Sequence, residues 1–290
     1  MPRLHYDALR YITTHGDPRA RLRVWTALGR AQTREAQHAL QELLALQNQD
    51  GGWSWRMEPR RPSSITDTAR TVDALVGAGL PPTHQALQLA LGFLLPHQRP
   101  DGGWSESPAL RNHIPWDWEW YSVDYSSPGT TAYVLYGLFR TGQQRKDRAV
   151  KQGLRFLHQS QNQEGGWPGH VGPTYPYGTD WASMFPVIRA LKVWNDSHRC
   201  RAAIDRALAA IRSHRDRWAT PVDNPLDTFL LLGYGLDHPD VQEALGYLIA
   251  AQRPDGGWNW FGDLPSSPGQ TANWIVALAG AGFDLTPAKG

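Results

Sequence analysis

One short motif recurs along the chain and constrains its fold more than any other feature. Four near copies consist of Gln, two variable residues, an acidic residue, two glycines and Trp. They occupy residues 47–53, 98–104, 161–167 and 252–258, and a degenerate fifth copy ends at Trp218. The five tryptophans that end these copies follow one another at steps of 40 to 63 residues. Regular spacing of this size indicates one supersecondary unit that is repeated along the chain.

Each repeat predicts two helices. Before each Gln the apolar residues follow helical spacing, as in residues 34–47. The glycine pair then ends the helix, because glycine accepts the left-handed conformation found at helix ends. A second helix follows each Trp and is apolar around more of its surface, which indicates burial on both sides. We predict these second helices at residues 67–78, 130–140, 180–193, 227–235 and 270–281.

Two further helices precede the first repeat. One is predicted over residues 4–14, and the next begins at Asp17-Pro18, an N-cap residue followed by proline. The total is six helices with a polar face and six that are mostly apolar, in alternation. A linear stack of such pairs would need distinct polar caps, and none is visible. We therefore predict an all-α, single-domain (α/α)6 barrel over residues 1–290, with six inner helices inside six outer ones.

Charge and cysteine usage exclude several classes of protein. Lys and Arg number 29 and Asp and Glu 27, a balance that argues against a nucleic-acid binder. The single cysteine, Cys200, excludes a disulfide framework and a cysteine-based zinc cluster. The sequence has no cluster of closely spaced acidic residues that would hold a metal, so no bound metal is implied. No cofactor is expected. No apolar run is long enough to span a bilayer, and the first 17 residues do not resemble a secretory signal. We expect a cytoplasmic protein, with peripheral membrane contact left open and the oligomeric state not predicted.

The aromatic residues divide into two groups. The repeat residues Gln and Trp are interpreted as structural ties between neighbouring repeats, because a Gln amide can bond backbone groups at a helix end. The remaining excess of Trp is concentrated in loops that a closed barrel would bring to one rim. Aromatic insertions at such a rim commonly line a pocket, although a loop that plugs the mouth is the alternative. The candidate substrate-binding residues are Trp116, Trp118, Trp120, Tyr125, His170, Tyr175, Tyr177 and Trp181.

The candidate catalytic residues are carboxylates at the same rim. Asp67, Asp180 and Asp227 stand at or near the starts of inner helices, and Asp124 lies in the aromatic insertion. A carboxylate at a helix start is a good cap, and the helix dipole stabilises its charge. The alternative is a dry carboxylic acid turned into the cavity. Asp73, in the middle of a helix, is a further candidate, and its structural interpretation is an ion pair with Arg70.

The repeats resemble the QW motifs of the squalene–hopene and oxidosqualene cyclase superfamily. Three further stretches are similar to that superfamily: 266–272, Tyr175-Pro-Tyr-Gly-Thr179 and Asp67-Thr-Ala69, which is similar to the end of its catalytic Asp-x-Asp-Asp-Thr-Ala motif. The resemblance implies a helical barrel and prenyl-chain chemistry. It places the family's proton donor at Thr66 and the first Asp of the motif at Ser64, so only Asp67 matches. Polyene cyclases of the family have two helical barrels, and this chain has the length of one.

Three functions follow from these observations. The first is a terpene-cyclase-like protein that acts on or binds an isoprenoid chain in an aromatic-lined cavity, with a small hydrophobic substrate as its partner. The second is a carbohydrate-active or carbohydrate-binding barrel, in which Asp117, Glu119 or Asp124 could supply an acid and a base. The third is a non-catalytic scaffold. A run of arginines near residues 199–217 is interpreted as a solvated outer face, or as a surface for an anionic membrane or a diphosphate.

Overall fold

The computed structural model describes residues 2–114, 122–172, 178–194 and 198–288. The chain divides into two compact units, one formed by Met1–Leu43 with His214–Gly290 and the other by Leu44–Ser213. The single closed barrel therefore stays a prediction. The helices pack against one another within each unit as follows.

The described residues form twelve α-helices, as the repeats predicted. In the first part of the chain they are α1 (Ala8–His15), α2 (Pro18–Ala27), α3 (Arg34–Ala45), α4 (Ile65–Gly77), α5 (Gln85–Leu94) and α6 (Pro128–Arg140). The others are α7 (Arg148–Gln159), α8 (Trp181–Val193), α9 (His198–Ser213), α10 (Leu226–Leu231), α11 (Pro239–Ala250) and α12 (Pro268–Gly280). Two boundaries differ from the prediction by more than two residues. Asp7 caps α1, which therefore begins at Ala8, and α10 ends early, before Gly233 with its positive φ of 93°.

The helices pack in two layers within each unit. In the unit Leu44–Ser213, the predicted inner helices α4, α6 and α8 lie side by side, and they pack in turn against the outer helices α5, α7 and α9. In the other unit, α12 packs between α2 and α10, while α1 and α11 lie against this inner layer. The predicted alternation of inner and outer helices is therefore confirmed for these helices within each unit.

A short β-hairpin departs from the all-α prediction. The strands β1 (Trp53–Ser54) and β2 (Ser63–Ser64) pair antiparallel between the first QW motif and α4. The chain must reverse direction here, and strand pairing satisfies buried backbone groups that no helix serves.

The QW residues tie neighbouring repeats together, as predicted. The Gln98 amide donates to the carbonyl of Gly102 in its own motif and to that of Ala149 in α7, both at 2.8 Å. The corresponding second acceptors are the carbonyls of Ala86 for Gln47, Ala203 for Gln161 and Tyr6 for Gln252. Each glutamine thus closes its own turn and holds the next outer helix or, for Gln252, the chain just before α1.

The first glycine of the motif is required by a close approach of two backbones. Gly102 has a φ of +91°, and a β-carbon there would lie 2.6 Å from the Gln152 carbonyl oxygen of α7. Gly51, Gly165 and Gly256 meet a neighbouring carbonyl in the same way. The motif therefore selects glycine for both its backbone angle and its contact distance.

The degenerate fifth copy keeps this tie with a different residue. It has no Gln before Trp218, but the Asn224 amide donates to the carbonyls of Trp218 and Ala244 at 2.8 and 2.9 Å. Ala244 belongs to α11, the next outer helix. Asn224 is buried and therefore replaces the missing glutamine from the opposite side of the turn.

Asn224→Ala is expected to lower the free energy of unfolding by about 2–3 kcal/mol, because two buried carbonyls lose their donor. Urea unfolding followed by circular dichroism measures this loss. Gln32→Ala, at an exposed side chain of the same unit, is the control and should change stability by less than about 0.5 kcal/mol. An equal effect of both changes would show that Asn224 does not act as the tie.

Candidate active site

The starts of three inner helices lie together in the unit Leu44–Ser213. The hydroxyl groups of Thr66 in α4 and Thr130 in α6 are hydrogen-bonded at 3.1 Å. Gly129 at the start of α6 faces α8 so closely that a β-carbon would lie 2.8 Å from the Ser183 hydroxyl. The common rim that the sequence predicted is therefore present for α4, α6 and α8.

A buried carboxyl group stands at this rim, on Glu106, which the sequence did not single out. Its side chain is 1% exposed and accepts the backbone N–H groups of Ile65 and Thr66 at 2.9 and 3.1 Å. The Ser64 hydroxyl donates to the same carboxyl at 3.2 Å. The first N–H groups of a helix have no partner within it and carry the positive end of the helix dipole. Glu106 thus caps α4 from a different loop, the one that follows Trp104.

The environment of Glu106 acts on its pKa in opposite directions. Burial has the largest effect and raises the pKa of the Glu106 carboxyl above its ordinary value, and the nearby Asp67 adds to this rise. Hydrogen bonds from Thr66 and Ile65 lower the pKa of Glu106 but offset only part of this rise. The neutral acid is therefore favoured, and three donors are already in place to stabilise the carboxylate once the proton leaves.

Asp67 is buried at the start of α4, where the N-cap residue is Ser64. The capping bond is made by the Ser64 hydroxyl, which accepts the N–H of Asp67 at 3.0 Å. The Asp67 carboxylate instead accepts the N–H of Arg56 at 2.8 Å. Arg56 and Met57 both have a positive φ, near 56°, which is unfavourable for side chains of this size. Asp67 therefore holds the tight turn that follows β1, and the expected cap at this position was assigned to the wrong residue.

The other three candidate carboxylates have different surroundings. Asp180 caps α8 through the Ser183 N–H at 3.1 Å, and burial raises its pKa while the Ser183 bonds oppose the rise. Asp227 lies in the first turn of α10, in the other unit, and accepts the Thr228 hydroxyl at 3.3 Å. Asp124 is exposed and forms a two-bond ion pair with Arg111 at 2.6 and 2.7 Å, which lowers the pKa of Asp124. A carboxylate held ionised in water is poorly suited to donate a proton.

Aromatic candidates are brought together in part. The rings of Tyr125 and His170 are stacked, with centroids 5.5 Å apart and planes at 15°. Their loops are joined by the Val171 N–H, which donates to the Ser126 carbonyl at 2.9 Å. Trp181 is buried at the start of α8. The predicted residues Trp116, Trp118, Trp120, Tyr175 and Tyr177, with Asp117 and Glu119, lie outside the described residues.

Asp73 makes a different ion pair from the one expected. Its partner is Arg140 of α6, and the expected pairing with Arg70 of its own helix is wrong. Arg70 instead lies over the ring of Tyr133, also in α6, 5.5 Å from its centroid. These contacts form because α4 packs against α6. The periodicity of residues within one helix cannot predict contacts between two helices.

The signal for Glu106 was present in the repeats. Two residues after the QW tryptophan the other three full copies have Trp55, Gly169 and Trp260, and only this copy has an acidic side chain. A single departure of this kind within a repeat marks a position whose surroundings differ from those of its counterparts.

Within each unit two layers of helices are joined by QW ties, which defines a helical protein with a terpene-cyclase-like fold. The chain belongs to the squalene-hopene cyclase C-terminal domain family, whose model matches it over residues 19–167 and 107–220. The superfamily that the repeats indicated is thereby confirmed.

Known relatives agree with this assignment. The chain is 25% identical over 244 residues to a squalene–hopene cyclase of Alicyclobacillus acidocaldarius, a match that covers 72% of this chain and 37% of the relative. It is 36% identical over 220 residues to a drimenyl diphosphate synthase of Streptomyces showdoensis, covering 74% of this chain and 30% of the relative. The chain thus spans about a third of the length of these curated relatives.

A solved structure shows the same fold. It is a variant of the type II terpene cyclase MstE from Scytonema, in complex with its substrate geranylgeranyl dihydroxybenzoate. The two structures superpose with a TM-score of 0.57 at 16% sequence identity, over 91% of this chain and 87% of the other.

The described residues contain neither a helix suited to span a membrane nor a cluster suited to hold a metal. None of the described helices combines the length and apolar character that a bilayer span requires. Within the same residues, no three His, Cys, Asp or Glu side chains come together in a group that would hold a metal ion.

Proposed function

We propose that this chain is a terpene-cyclase-like protein that binds an isoprenoid chain in an aromatic-lined cavity and protonates it from the Glu106 carboxyl. Membership of the cyclase family supports the substrate class. So does the fold shared with MstE, whose bound substrate carries a geranylgeranyl chain. The activity is proposed for this chain on these grounds together with its own carboxyl group.

The observation that carries the proposal is the position of Glu106. Its carboxyl is hydrogen-bonded to Ser64 and Thr66. These are the two positions at which the resemblance to the cyclases places the first Asp of the catalytic motif and the proton donor. A carboxyl group is thus supplied to the same helix start from a neighbouring loop.

The chemistry matches the surroundings of this carboxyl. Burial raises the pKa of the Glu106 carboxyl, which favours the protonated form that a proton donor requires. The proton adds to one carbon of a terminal alkene, whose π electrons form the new C–H bond and leave a carbocation on the other carbon. The Ser64, Ile65 and Thr66 donors then stabilise the carboxylate that remains. The cation is discharged by loss of a proton or by addition of water.

Aromatic rings supply the second requirement, because a carbocation is stabilised by the faces of π systems. The stacked Tyr125 and His170, the buried Trp181 and the predicted Trp116, Trp118, Trp120, Tyr175 and Tyr177 are assigned this role. Asp67 is assigned a positioning role, since it holds the turn that carries Trp55.

Purified protein incubated with squalene and with farnesyl, geranylgeranyl and hexaprenyl diphosphates tests the proposal. We expect a cyclised product, formed at least about 100-fold more slowly by Glu106→Gln, because a general acid contributes on that order. Glu35→Gln, an exposed glutamate in α3, is the matched control and should keep the full rate.

Deuterium labelling makes the test independent of any loss of stability in the Glu106 variant. Product formed by the unaltered protein in D2O should carry one deuterium at the carbon that is protonated first. An unlabelled product, or no consumption of any substrate relative to boiled protein, would overturn the proposal. A full rate with Glu106→Gln and a lost rate with Asp67→Asn would assign the proton to Asp67.

The other interpretations stay predictions. Asp117 and Glu119, the proposed carbohydrate acid and base, lie outside the described residues, and Asp124 is held as an anion by Arg111. A non-catalytic scaffold is the conclusion if the protein folds but is inert in the assay. Cytoplasmic location and peripheral membrane contact likewise stay predictions.

A further inference from the structure

A cavity lies away from the proposed active site, between the outer helices α7 and α9. Its volume is about 420 Å³, and it is lined by Arg145, Lys151, Leu154, Arg155, His158, Gln159 and Arg199. Pockets for small molecules typically measure about 300–1,000 Å³, so this cavity is large enough for a ligand rather than a single water.

The charges of the lining have one sign. Four of the seven lining residues are Arg or Lys, and none of the seven carries a carboxylate. Lys151 and Arg155 stand four residues apart on α7, a spacing at which like charges destabilise a helix. Over the described parts of the chain, the charged ends of Lys151, Arg155 and Arg199 form no ion pair with a carboxylate. The three residues are exposed at the mouth of the cavity, and an anion bound there would offset their like charges.

A histidine that lines the cavity, His158, is affected by these positive charges. His158 is half-buried, and its imidazole Nε2 lies 3.7 Å from the Cys200 sulfur. Burial has the largest effect in lowering the pKa of His158, and the charges of Arg145, Arg199 and Arg206 lower it further. The lowered pKa favours the neutral ring, so the positive charge of the cavity comes from the arginines and the lysine.

We propose that the cavity between α7 and α9 binds a phosphate or diphosphate group of a small molecule through Lys151, Arg155 and Arg199. A guanidinium group presents its donors in a planar fork that fits two phosphate oxygens, and an ammonium group adds a compact charge. Polyvalent phosphate is the common anion that needs several cations from two helices. This site is separate from Glu106 and does not depend on the proposed cyclase function.

Inorganic diphosphate and inorganic phosphate are the probes, titrated by calorimetry at constant ionic strength because salt screens such contacts. We expect diphosphate to bind more tightly than phosphate. The double variant Arg155→Gln with Arg199→Gln should weaken diphosphate binding by about 10-fold or more, because two charge-assisted contacts are lost. The matched control is Arg148→Gln with Arg201→Gln, which removes the same charge from exposed positions on the same two helices outside the cavity.

A second readout reports the location of the bound anion. Diphosphate in the cavity opposes the charges of Arg145, Arg199 and Arg206, so the pKa of His158 should rise when it binds. The ring signals of His158, followed by NMR between about pH 5 and 8, measure this rise. The signals of the exposed His198 serve as an internal comparison.

Binding to lipid vesicles distinguishes two possible sources of the phosphate group. Phosphatidic acid vesicles that bind the unaltered protein but not the double variant would identify a lipid headgroup, whereas binding of soluble diphosphate alone identifies a free phosphate compound. Equal weakening in the double variant and in its control, or diphosphate binding without a response of His158, would overturn the proposal.

Discussion

Replacing Trp104 by alanine is expected to lower the free energy of unfolding by about 3–5 kcal/mol, the range for truncating a large buried aromatic side chain. Trp104 is fully buried, and its indole N–H donates to the Leu94 carbonyl at 2.9 Å. Its ring packs so closely on α7 that a β-carbon at Gly153 would lie 3.0 Å from it. The change therefore leaves a cavity and an unsatisfied carbonyl at the junction of α5 with α7.

Urea unfolding followed by circular dichroism measures this effect. The matched control is Trp260→Ala, since Trp260 is only partly buried and lies just past the last QW motif. Its loss should cost clearly less than that of Trp104. Similar values for the two variants would contradict the structural role of the QW tryptophans.

Replacing Glu106 by alanine is the second large effect, with an expected loss of about 3–5 kcal/mol at acidic pH. The change leaves the N–H groups of Ile65 and Thr66 and the Ser64 hydroxyl without their acceptor at a buried helix start. Each buried polar group left without a partner costs about 1–3 kcal/mol. Glu58→Ala is the control, because Glu58 is a partly exposed glutamate of the same unit whose ion pair with Arg61 contributes little.

The pH dependence of this loss follows from the direction of the pKa shift. The folded pKa of Glu106 lies above its ordinary value of 4.5, so folding favours the protonated form. The stability that this preference contributes is complete below pH 4.5 and is lost as the pH rises through the folded pKa. The cost of Glu106→Ala should therefore shrink with rising pH, by at most about 1.4 kcal/mol per pH unit.

Unfolding curves of the unaltered protein and of Glu106→Ala, recorded from acidic to neutral pH, test this direction. A cost that grows with pH would show that the three hydrogen bonds outweigh burial and that Glu106 is held as an anion. Such a group would be a structural cap and not a proton donor.

Much of the local structure was predictable because it depends on residues close in sequence. Asp17-Pro18 predicted the start of α2, and the Asp17 carboxylate accepts the Ala20 N–H at 2.8 Å as expected. The tie made by Gln98 was predictable for the same reason, since an amide next to a helix end has few other partners.

The location of the candidate site at the starts of the inner helices was predictable, but the residues that form it were not. Asp67 was identified from a motif, and the structure gives its capping role to Ser64 and Glu106. Asn224 and Arg140 were missed in the same way, because their partners come from other repeats.

The sequence by itself determined the repeat, the twelve helices of the described residues and the family. A repeated hydrophobic pattern with glycine stops specifies the same local structure wherever it occurs. Only the tertiary structure decided which carboxyl group meets the start of α4 and which cations share the cavity between α7 and α9. Those choices depend on which loops and helices pack together, and a buried donor takes whichever acceptor the packing brings to it.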